Sequence, residues 1–198
     1  RSLHMGSSAE FAQYRPYTQG DDTRFVDWRL FGRTDRLNIR EFQDETNMRC
    51  TVLLDCSASM DYTSGTLTKF RYAQMLAACL VFMLERQHDA VGFMAYDSEL
   101  RVQMPPRAHP NHARRIIAEI ERLEPAGPTD TAGALRFIGD VLPPRGMVVL
   151  ISDLLHPLDE VINHLRSLRA RRHDVMVFQI SDIAEQTFPF DKSVTLVD

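Results

Sequence analysis

The sequence has few of the features that define whole classes of protein. Its three cysteines, Cys50, Cys56 and Cys79, include no Cys-x-x-Cys pair and no Cys/His spacing of a zinc module. We therefore expect neither a disulfide scaffold nor a zinc site. The longest apolar run, residues 75–84, is about half as long as the roughly 20 residues that a transmembrane helix needs. We expect no membrane span in this chain and a cytoplasmic protein, with any membrane association made through segments outside it.

A strong charge of one sign is also missing. The 23 basic and 27 acidic side chains give a formal net charge of −4. This balance argues against a protein whose main task is to neutralise nucleic-acid phosphates, so we expect no nucleic-acid partner. Hydrophobic residues make up 44% and charged residues 25% of the 198 residues, which is ordinary for a globular domain. The length fits one domain with a short extension.

Familiar catalytic loops are absent from the sequence as well. It has no Gly-x-Ser-x-Gly elbow of a serine hydrolase and no Walker-type Gly-Lys-Ser/Thr loop of a nucleotide hydrolase. We therefore expect that the chain is not an enzyme.

After residue 50, short apolar runs alternate with helical periodicity. This order is typical of a doubly wound α/β fold, with a mostly parallel sheet covered by helices on both faces. The predicted strands are 50–54, 90–96, 100–104, 147–151, 175–180 and a strand-like run at 194–197. The predicted helices are 68–86, 111–123, 131–142 and 159–172. The link 97–99 is too short for a parallel crossover, so one edge strand should run antiparallel.

Residues 1–49 differ from the domain predicted for residues 50–198. They carry eight basic and eight acidic side chains and the single tryptophan, with only a weak alternation at 37–42 that indicates an edge strand. The predicted helix 68–86 is apolar on every face around 75–84, which a solvent-exposed helix cannot be. We therefore expect the N-terminal extension to pack on the core and cover this helix, with a partner protein as the alternative cover.

Polar residues follow the predicted strands at places where α/β proteins bind ligands. The run Asp-Cys-Ser-Ala-Ser starts at Asp55, directly after the first core strand. Asp55, Ser57 and Ser59 offer oxygen atoms, which hard cations such as Mg²⁺ prefer. Thr129 before a helix and Asp153 after a strand lie at equivalent places. The alternative interpretation is that these residues only cap helices and turns.

Together these five residues resemble the metal-ion-dependent adhesion site (MIDAS) of von Willebrand factor type A domains. The pattern there is Asp-x-Ser-x-Ser, a distant Thr before a helix and an Asp after the fourth core strand. The resemblance implies that Ser57, Ser59 and Thr129 are hydroxyl ligands of Mg²⁺, or of Mn²⁺ or Ca²⁺. It implies that Asp55 and Asp153 hold the ion partly through water, which leaves a position for a carboxylate of a partner.

Two departures from that pattern affect the backbone of the candidate loops. Gly127-Pro128 replaces the common Gly-Gly before the threonine, and Leu154 follows Asp153 where many type A domains have glycine. Neither departure removes a predicted ligand.

The N-terminal segment carries a second signature, Gly-Asp-Asp-x-Arg-x-x-Asp-Trp, between Gly20 and Trp28. With the adhesion-site strand, it resembles the bacterial family called domain of unknown function fifty-eight over nearly the whole chain. Members are typically encoded beside MoxR-type AAA+ ATPases. The resemblance implies work with such an ATPase in the assembly or maturation of client proteins that bear an acidic residue.

The signature has two interpretations, a docking surface or a structural clasp. We favour the clasp, because aromatic side chains beside paired charges usually pack. Its residues are Asp21, Asp22, Arg24, Asp27, Trp28 and Arg33.

Two other functions stay open. The first is a metal-dependent hydrolase or phosphotransferase that uses Asp55, since haloacid-dehalogenase-type sites also begin with an Asp after the first strand. That chemistry needs a second carboxylate at position 57, where this chain has Ser57. It also needs a supporting lysine. The chain has only Lys69 and Lys192, and neither lies in a plausible supporting loop. The second is a metal-free structural subunit.

Overall fold

The computed structural model describes residues 9–44 and 48–189, and within 9–13 and 40–44 it describes the backbone. The chain forms two compact units, Arg1–Thr46 and Asn47–Asp198. The strand-like run at 194–197 lies outside the described residues. That the N-terminal extension packs on the core stays a prediction.

The N-terminal unit contains a small antiparallel sheet and one short helix. Strand β1 is Ala9–Pro16, helix α1 is Trp28–Thr34 and strand β2 is Asn38–Asp44. β1 pairs with β2, which confirms a strand near the weak alternation at 37–42. β1 and α1 were not predicted, since neither shows a clear apolar period.

The larger unit is built on a five-stranded sheet. Its strands are β3 (Arg49–Asp55), β4 (Ala90–Tyr96), β5 (Leu100–Arg107), β6 (Gly146–Ser152) and β7 (His173–Gln179). Their order is β5-β4-β3-β6-β7, and every pair is parallel except β4 with β5. The predicted α/β class, with one antiparallel strand at the edge, is confirmed.

Helices cover both faces of this sheet. They are α2 (Lys69–Arg86), α3 (Pro110–Arg122), α4 (Thr131–Val141), α5 (Leu158–Ala170) and α6 (Ile183–Thr187). Successive strand residues point to opposite faces. Val52 and Leu54 therefore join one core cluster with residues of α2 and α3, while Leu53 joins a second cluster with residues of α4 and α5. This arrangement is a doubly wound fold.

The predicted ends of the strands and helices between residues 50 and 180 lie within three residues of the observed ends. The short helix α6 was missed, because its five residues are too few for a period and a capping box begins it. Tyr72, Met75 and Phe82 on α2 are about half exposed, and what covers them stays a prediction. Within the described ranges, none of the helices combines the length and hydrophobicity needed to cross a bilayer.

Candidate metal-binding site

Three neighbouring strands end in polar residues at one edge of the sheet. Asp55 ends β3 opposite Tyr96, which ends β4. Ser152 ends β6 on the other side of β3, where Leu54 pairs with Ile151. Asp55, Tyr96 and Ser152 are all buried. Because parallel strands end at the same edge, the strand register places a hydroxyl group on each side of one carboxylate.

Asp55 is fully buried, and both of its carboxylate oxygens accept hydrogen bonds. Oδ1 accepts from the backbone N–H of Ser57 at 3.0 Å. Oδ2 accepts from the hydroxyls of Ser152 at 2.7 Å, Tyr96 at 3.3 Å and Thr129 at 3.3 Å. Burial raises the pKa of Asp55, although hydrogen bonds from Ser152 and Ser57 partly offset this effect. A cation beside this carboxylate would stabilise its ionised form.

The other hydroxyl groups come from two loops that are fixed to each other. The N–H of Ala58 donates to the carbonyl of Gly127 at 2.8 Å. Gly127 has a φ of +70°, a left-handed conformation that glycine adopts without strain. The hydroxyl oxygens of Ser57 and Ser59 lie 3.1 Å apart. The loop that carries Thr129 is therefore held against the loop that carries the two serines.

Asp153 follows β6 at the same edge and is 3% exposed. Its Oδ1 accepts from the N–H of Leu155 at 3.2 Å. Leu154 between them has a φ of +59°, a left-handed conformation that is rare for leucine. Its N–H donates to the hydroxyl of Ser152 at 2.9 Å. Leu154 thus adopts a conformation that favours glycine, and it lies directly beside a candidate ligand.

Lys69, the first residue of α2, brings a buried positive charge to the site. Its Nζ lies 2.9 Å from Asp153 Oδ2 and 2.6 Å from Glu185 Oε1. Burial alone would lower the pKa of Lys69. Its hydrogen bonds to Glu185 and Asp153 have the larger effect, so the pKa is raised. Lys69 lies in no loop, as expected, but α2 begins at this residue next to the carboxyl edge of the sheet, and its side chain contacts Asp153 from there. Lys192 lies outside the described residues.

The chemistry of the donor set fits a hard divalent cation. The hydroxyl oxygens of Ser57 and Ser59 are 3.1 Å apart. The hydroxyl oxygen of Thr129 lies 3.3 Å from Oδ2 of Asp55. Neighbouring oxygens around an octahedral Mg²⁺ at about 2.1 Å lie about 3.0 Å from each other. Both observed separations are close to this spacing. Within the described chain, no cluster of three or more His, Cys, Asp and Glu side chains is suited to a metal ion.

The structure links four of the five predicted ligand residues by hydrogen bonds: Asp55, Ser57, Ser59 and Thr129. Asp153 lies at the same edge and, with Ser59, lines an open cavity of about 1390 Å³. Sequence reasoning missed Tyr96, Ser152 and Lys69. The first two could have been found, because the predicted strands end at or beside them. That these residues bind a metal ion stays a prediction.

Two aspartates of the N-terminal signature form ion pairs with nearby arginines. Asp21 lies 2.9 Å from Arg15, and Asp22 lies 2.7 Å from Arg24. Hydrogen bonds from Arg15 hold the pKa of Asp21 well below its usual range. Both pairs connect residues close in sequence, so they fix the local backbone.

The third aspartate of the signature, Asp27, is buried and begins α1. Its Oδ1 accepts from the N–H groups of Arg29 at 3.0 Å and Leu30 at 3.1 Å, and its Oδ2 accepts from the hydroxyl of Tyr14 at 2.9 Å. These contacts identify Asp27 as a structural helix cap.

Trp28 and Arg33 of the signature are exposed on α1. Trp28 is 61% exposed and meets the ring of Phe31 edge-on at 6.3 Å between centroids. Arg33 lies in the last turn, where a positive charge suits the helix dipole. Whether the signature is a docking surface or a clasp stays open.

The sequence matches a known protein family over most of its length. The family is described as "Protein of unknown function DUF58", and the match covers residues 13–198. Uncharacterized proteins of Mycobacterium bovis and Mycobacterium tuberculosis are 29% identical over 202 residues. The alignment covers 99% of this chain and 62% of each relative. This chain therefore spans less than two thirds of the length of those relatives.

Two solved bacterial structures share the fold of this chain. The conserved hypothetical protein BatB from Bacteroides thetaiotaomicron has a TM-score of 0.56 and 17% identity, over 66% of this chain and 65% of that chain. An aerotolerance-related membrane protein from Bacteroides fragilis has a TM-score of 0.58 and 18% identity, over 67% of both chains. A von Willebrand factor type A structure from Catenulispora acidiphila has a TM-score of 0.47 and 18% identity, over 65% of this chain and 32% of that chain.

Proposed function

This chain belongs to the DUF58 family, and we propose that it is a non-enzymatic protein-interaction module that depends on a divalent metal ion. In this proposal, Mg²⁺, or Mn²⁺ or Ca²⁺ in its place, is held by the hydroxyls of Ser57, Ser59 and Thr129 and by the carboxylates of Asp55 and Asp153. The bound ion supplies an open coordination position that accepts an acidic side chain of a partner protein.

The convergence of hydroxyl groups on one buried carboxylate carries the proposal. Asp55 Oδ2 accepts from the hydroxyls of Ser152 and Thr129, and Ser57 lies beside it with Ser59. Three of the five proposed ligands are neutral hydroxyls, which leaves the bound ion electrophilic and open to a further oxygen ligand. The open cavity lined by Ser59 and Asp153 gives a partner side chain access from solvent.

The proposed partner is a MoxR-type AAA+ ATPase, and the proposed task is the assembly or maturation of client proteins that carry an acidic residue. Resemblance to the family supports this step. Any ATP hydrolysis then belongs to the ATPase. The exposed Trp28 offers a second surface for such a partner. The proposed location is the cytoplasm, where the free thiols of Cys50, Cys56 and Cys79 would stay reduced.

Isothermal titration calorimetry with Mg²⁺ and Mn²⁺ tests the metal site. We expect binding by the wild type and none by Asp55→Ala, since this variant removes the carboxylate at the centre of the hydroxyl cluster. Asp140→Ala removes an exposed carboxylate from α4 and should bind as the wild type does. If titration of the wild type releases or absorbs no heat of metal binding, the remaining interpretation is that the protein is a metal-free structural subunit.

Binding to a purified MoxR-type AAA+ ATPase tests the partnership. We expect binding in Mg²⁺ that is lost in a chelator and in Ser57→Ala and Thr129→Ala. Thr34→Ala, which removes an exposed hydroxyl from α1, is the control and should keep Mg²⁺-dependent binding. Binding that survives both the chelator and Thr129→Ala would contradict a metal-dependent contact.

The contact between Lys69 and Asp153 gives a phosphotransferase some support, since it places a lysine in the site. Asp55, however, is fully buried and its Oδ2 accepts three hydroxyl hydrogen bonds, so it is poorly placed to attack a phosphoryl group. A chromogenic aryl phosphate in Mg²⁺ provides the test. We expect no turnover, and turnover that Asp55→Ala abolishes would replace the interaction module with an enzyme.

A further inference from the structure

The carboxylate of Asp153 already has a cation bound to it. The Lys69 ammonium lies 2.9 Å from Oδ2, and both side chains are only 2% exposed. An ammonium and a divalent ion at the same carboxylate repel each other, and this repulsion is stronger in a buried site than in water. The same ammonium also contacts Glu185, whose side chain is 31% exposed.

We propose that Lys69 competes with the divalent ion for Asp153 and thereby sets the metal affinity, and that Glu185 takes over the ammonium when the metal binds. This inference rests on the proposed metal-dependent function and deepens it.

The contacts of Asp153 allow such an exchange without moving the ligand. Its Oδ1 is held by the N–H of Leu155 at 3.2 Å, so the carboxylate keeps its orientation when the ammonium leaves Oδ2. The ammonium sits on a flexible four-carbon stem and can shift towards Glu185, where it already has a 2.6 Å contact. Metal binding therefore needs a small movement of Lys69 rather than a rearrangement of the loop.

Glu185 is fixed well enough to receive the ammonium. Its Oε2 accepts from the backbone N–H of Asp182 at 2.8 Å, and the Asp182 carboxylate accepts from the N–H of Ala184 at 2.8 Å. The N–H of Ser64 donates to Asp182 at 3.0 Å, and its hydroxyl donates to the same carboxylate. Metal occupancy is thereby coupled to α6 through one ion pair.

Calorimetry on charge variants of Lys69 tests the competition. Lys69→Met removes the ammonium, and we expect the Kd for Mg²⁺ to fall about tenfold. Lys69→Arg keeps the charge and should stay within about twofold of the wild type. Unchanged affinity in a folded Lys69→Met would overturn the competition.

Glu185→Gln gives an independent test that keeps the buried lysine. With its second carboxylate partner neutralised, the ammonium should hold Asp153 more tightly, so we expect the Kd for Mg²⁺ to rise about threefold. Glu119→Gln removes an exposed carboxylate that pairs with Arg122 at 3.3 Å and should leave the Kd unchanged. A lower or unchanged Kd in Glu185→Gln would overturn the role of Glu185.

Hydrogen exchange of the α6 amides tests the transfer of the ammonium directly. We expect Mg²⁺ to slow exchange in α6 of the wild type and to leave it unchanged in Lys69→Met. The same slowing in both proteins would contradict the transfer.

The calorimetric results also separate this inference from the proposed function. Equal binding by the wild type and Lys69→Met keeps the metal-dependent module and rejects competition by Lys69. Binding by Lys69→Met alone supports competition, because the ammonium then excludes the ion, but it rejects metal dependence of the natural protein. No binding by either protein rejects both.

Discussion

The α/β unit and the described part of the N-terminal unit, residues 14–39, show different kinds of contact. In the α/β unit, strand β3 buries six consecutive residues, 50–55, in a sheet with helices on both faces. In the N-terminal unit, the buried side chains described within 14–39 are Val26, Asp27 and Ile39. Apolar burial thus stabilises the first unit, whereas polar contacts are prominent among those described within residues 14–39 of the second.

Each unit contains a buried aspartate, Asp27 or Asp55, and the two differ in their hydrogen-bond donors. Asp27 accepts from two backbone N–H groups and the hydroxyl of Tyr14. Asp55 accepts from one backbone N–H and three hydroxyls. Backbone donors are fixed, whereas hydroxyl groups can rotate and turn a lone pair towards a cation. The partners of Asp27 therefore suit a structural role, and those of Asp55 suit a metal site.

The largest expected effect is a loss of stability in the core of the α/β unit. Leu53→Ala removes a fully buried side chain from β3, and we expect the free energy of unfolding to fall by about 2–5 kcal/mol. Leu67→Ala, at a residue that is 42% exposed, should cost no more than about 0.5 kcal/mol. Guanidinium unfolding measures both variants. Equal costs would contradict the view that apolar burial stabilises this unit.

A smaller loss is expected from the helix cap of the N-terminal unit. Asp27→Ala leaves the N–H groups of Arg29 and Leu30 without their acceptor, which should cost about 1–2 kcal/mol of local stability. Hydrogen exchange of these two amides is the measurement. Asp27→Asn keeps an oxygen acceptor and should retain most of the protection. Loss of protection in both variants would mean that the charge of Asp27, rather than its capping oxygen, stabilises α1.

The same contrast explains how much of the fold could be predicted from the sequence. Buried strands such as 90–96 show apolar runs, because a strand covered on both faces must be apolar throughout. β1 and α1 lack such a pattern, and α1 begins at a polar cap, Asp27. Helix α6 depends on a capping box in the same way, and it was missed for the same reason.

The candidate site could be predicted where its residues adjoin strand ends. Asp55, Ser57 and Asp153 follow predicted strands, and the parallel order brings such positions together. Lys69 was missed although the predicted helix 68–86 begins beside it, because its contact with Asp153 spans 84 residues of sequence and no motif marks it. Glu185 depends in addition on α6, which no periodicity indicates.

Asp55→Asn tests whether the buried carboxylate of the α/β unit serves function rather than stability. Since burial raises its pKa, the ionised form destabilises the folded protein, and a neutral amide of the same shape should increase the stability of the metal-free protein. The same variant should lose Mg²⁺ binding. Guanidinium unfolding in a chelator and calorimetry measure the two effects. A destabilised Asp55→Asn would make Asp55 a structural residue like Asp27.

The smallest expected effect is a pH dependence that arises from two buried histidines of the α/β unit. Burial lowers the pKa of His112 and His173, whereas an unfolded histidine titrates near about 6.5. Between these values the unfolded state binds more protons, so stability falls as the pH decreases. We therefore expect the melting temperature of the metal-free protein to fall between about pH 7.5 and about pH 5.5.

Two variants assign this effect to the buried histidines. His173→Gln should reduce the fall in melting temperature, whereas His88→Asn should not, because His88 is exposed and asparagine tolerates its φ of +60°. The raised pKa of Asp55 acts in the opposite direction, since protonation of this carboxylate favours the folded state. Measurements in an Asp55→Asn background remove that contribution. If the melting temperature falls equally in the Asp55→Asn background with and without His173→Gln, His173 is not a source of the acid sensitivity.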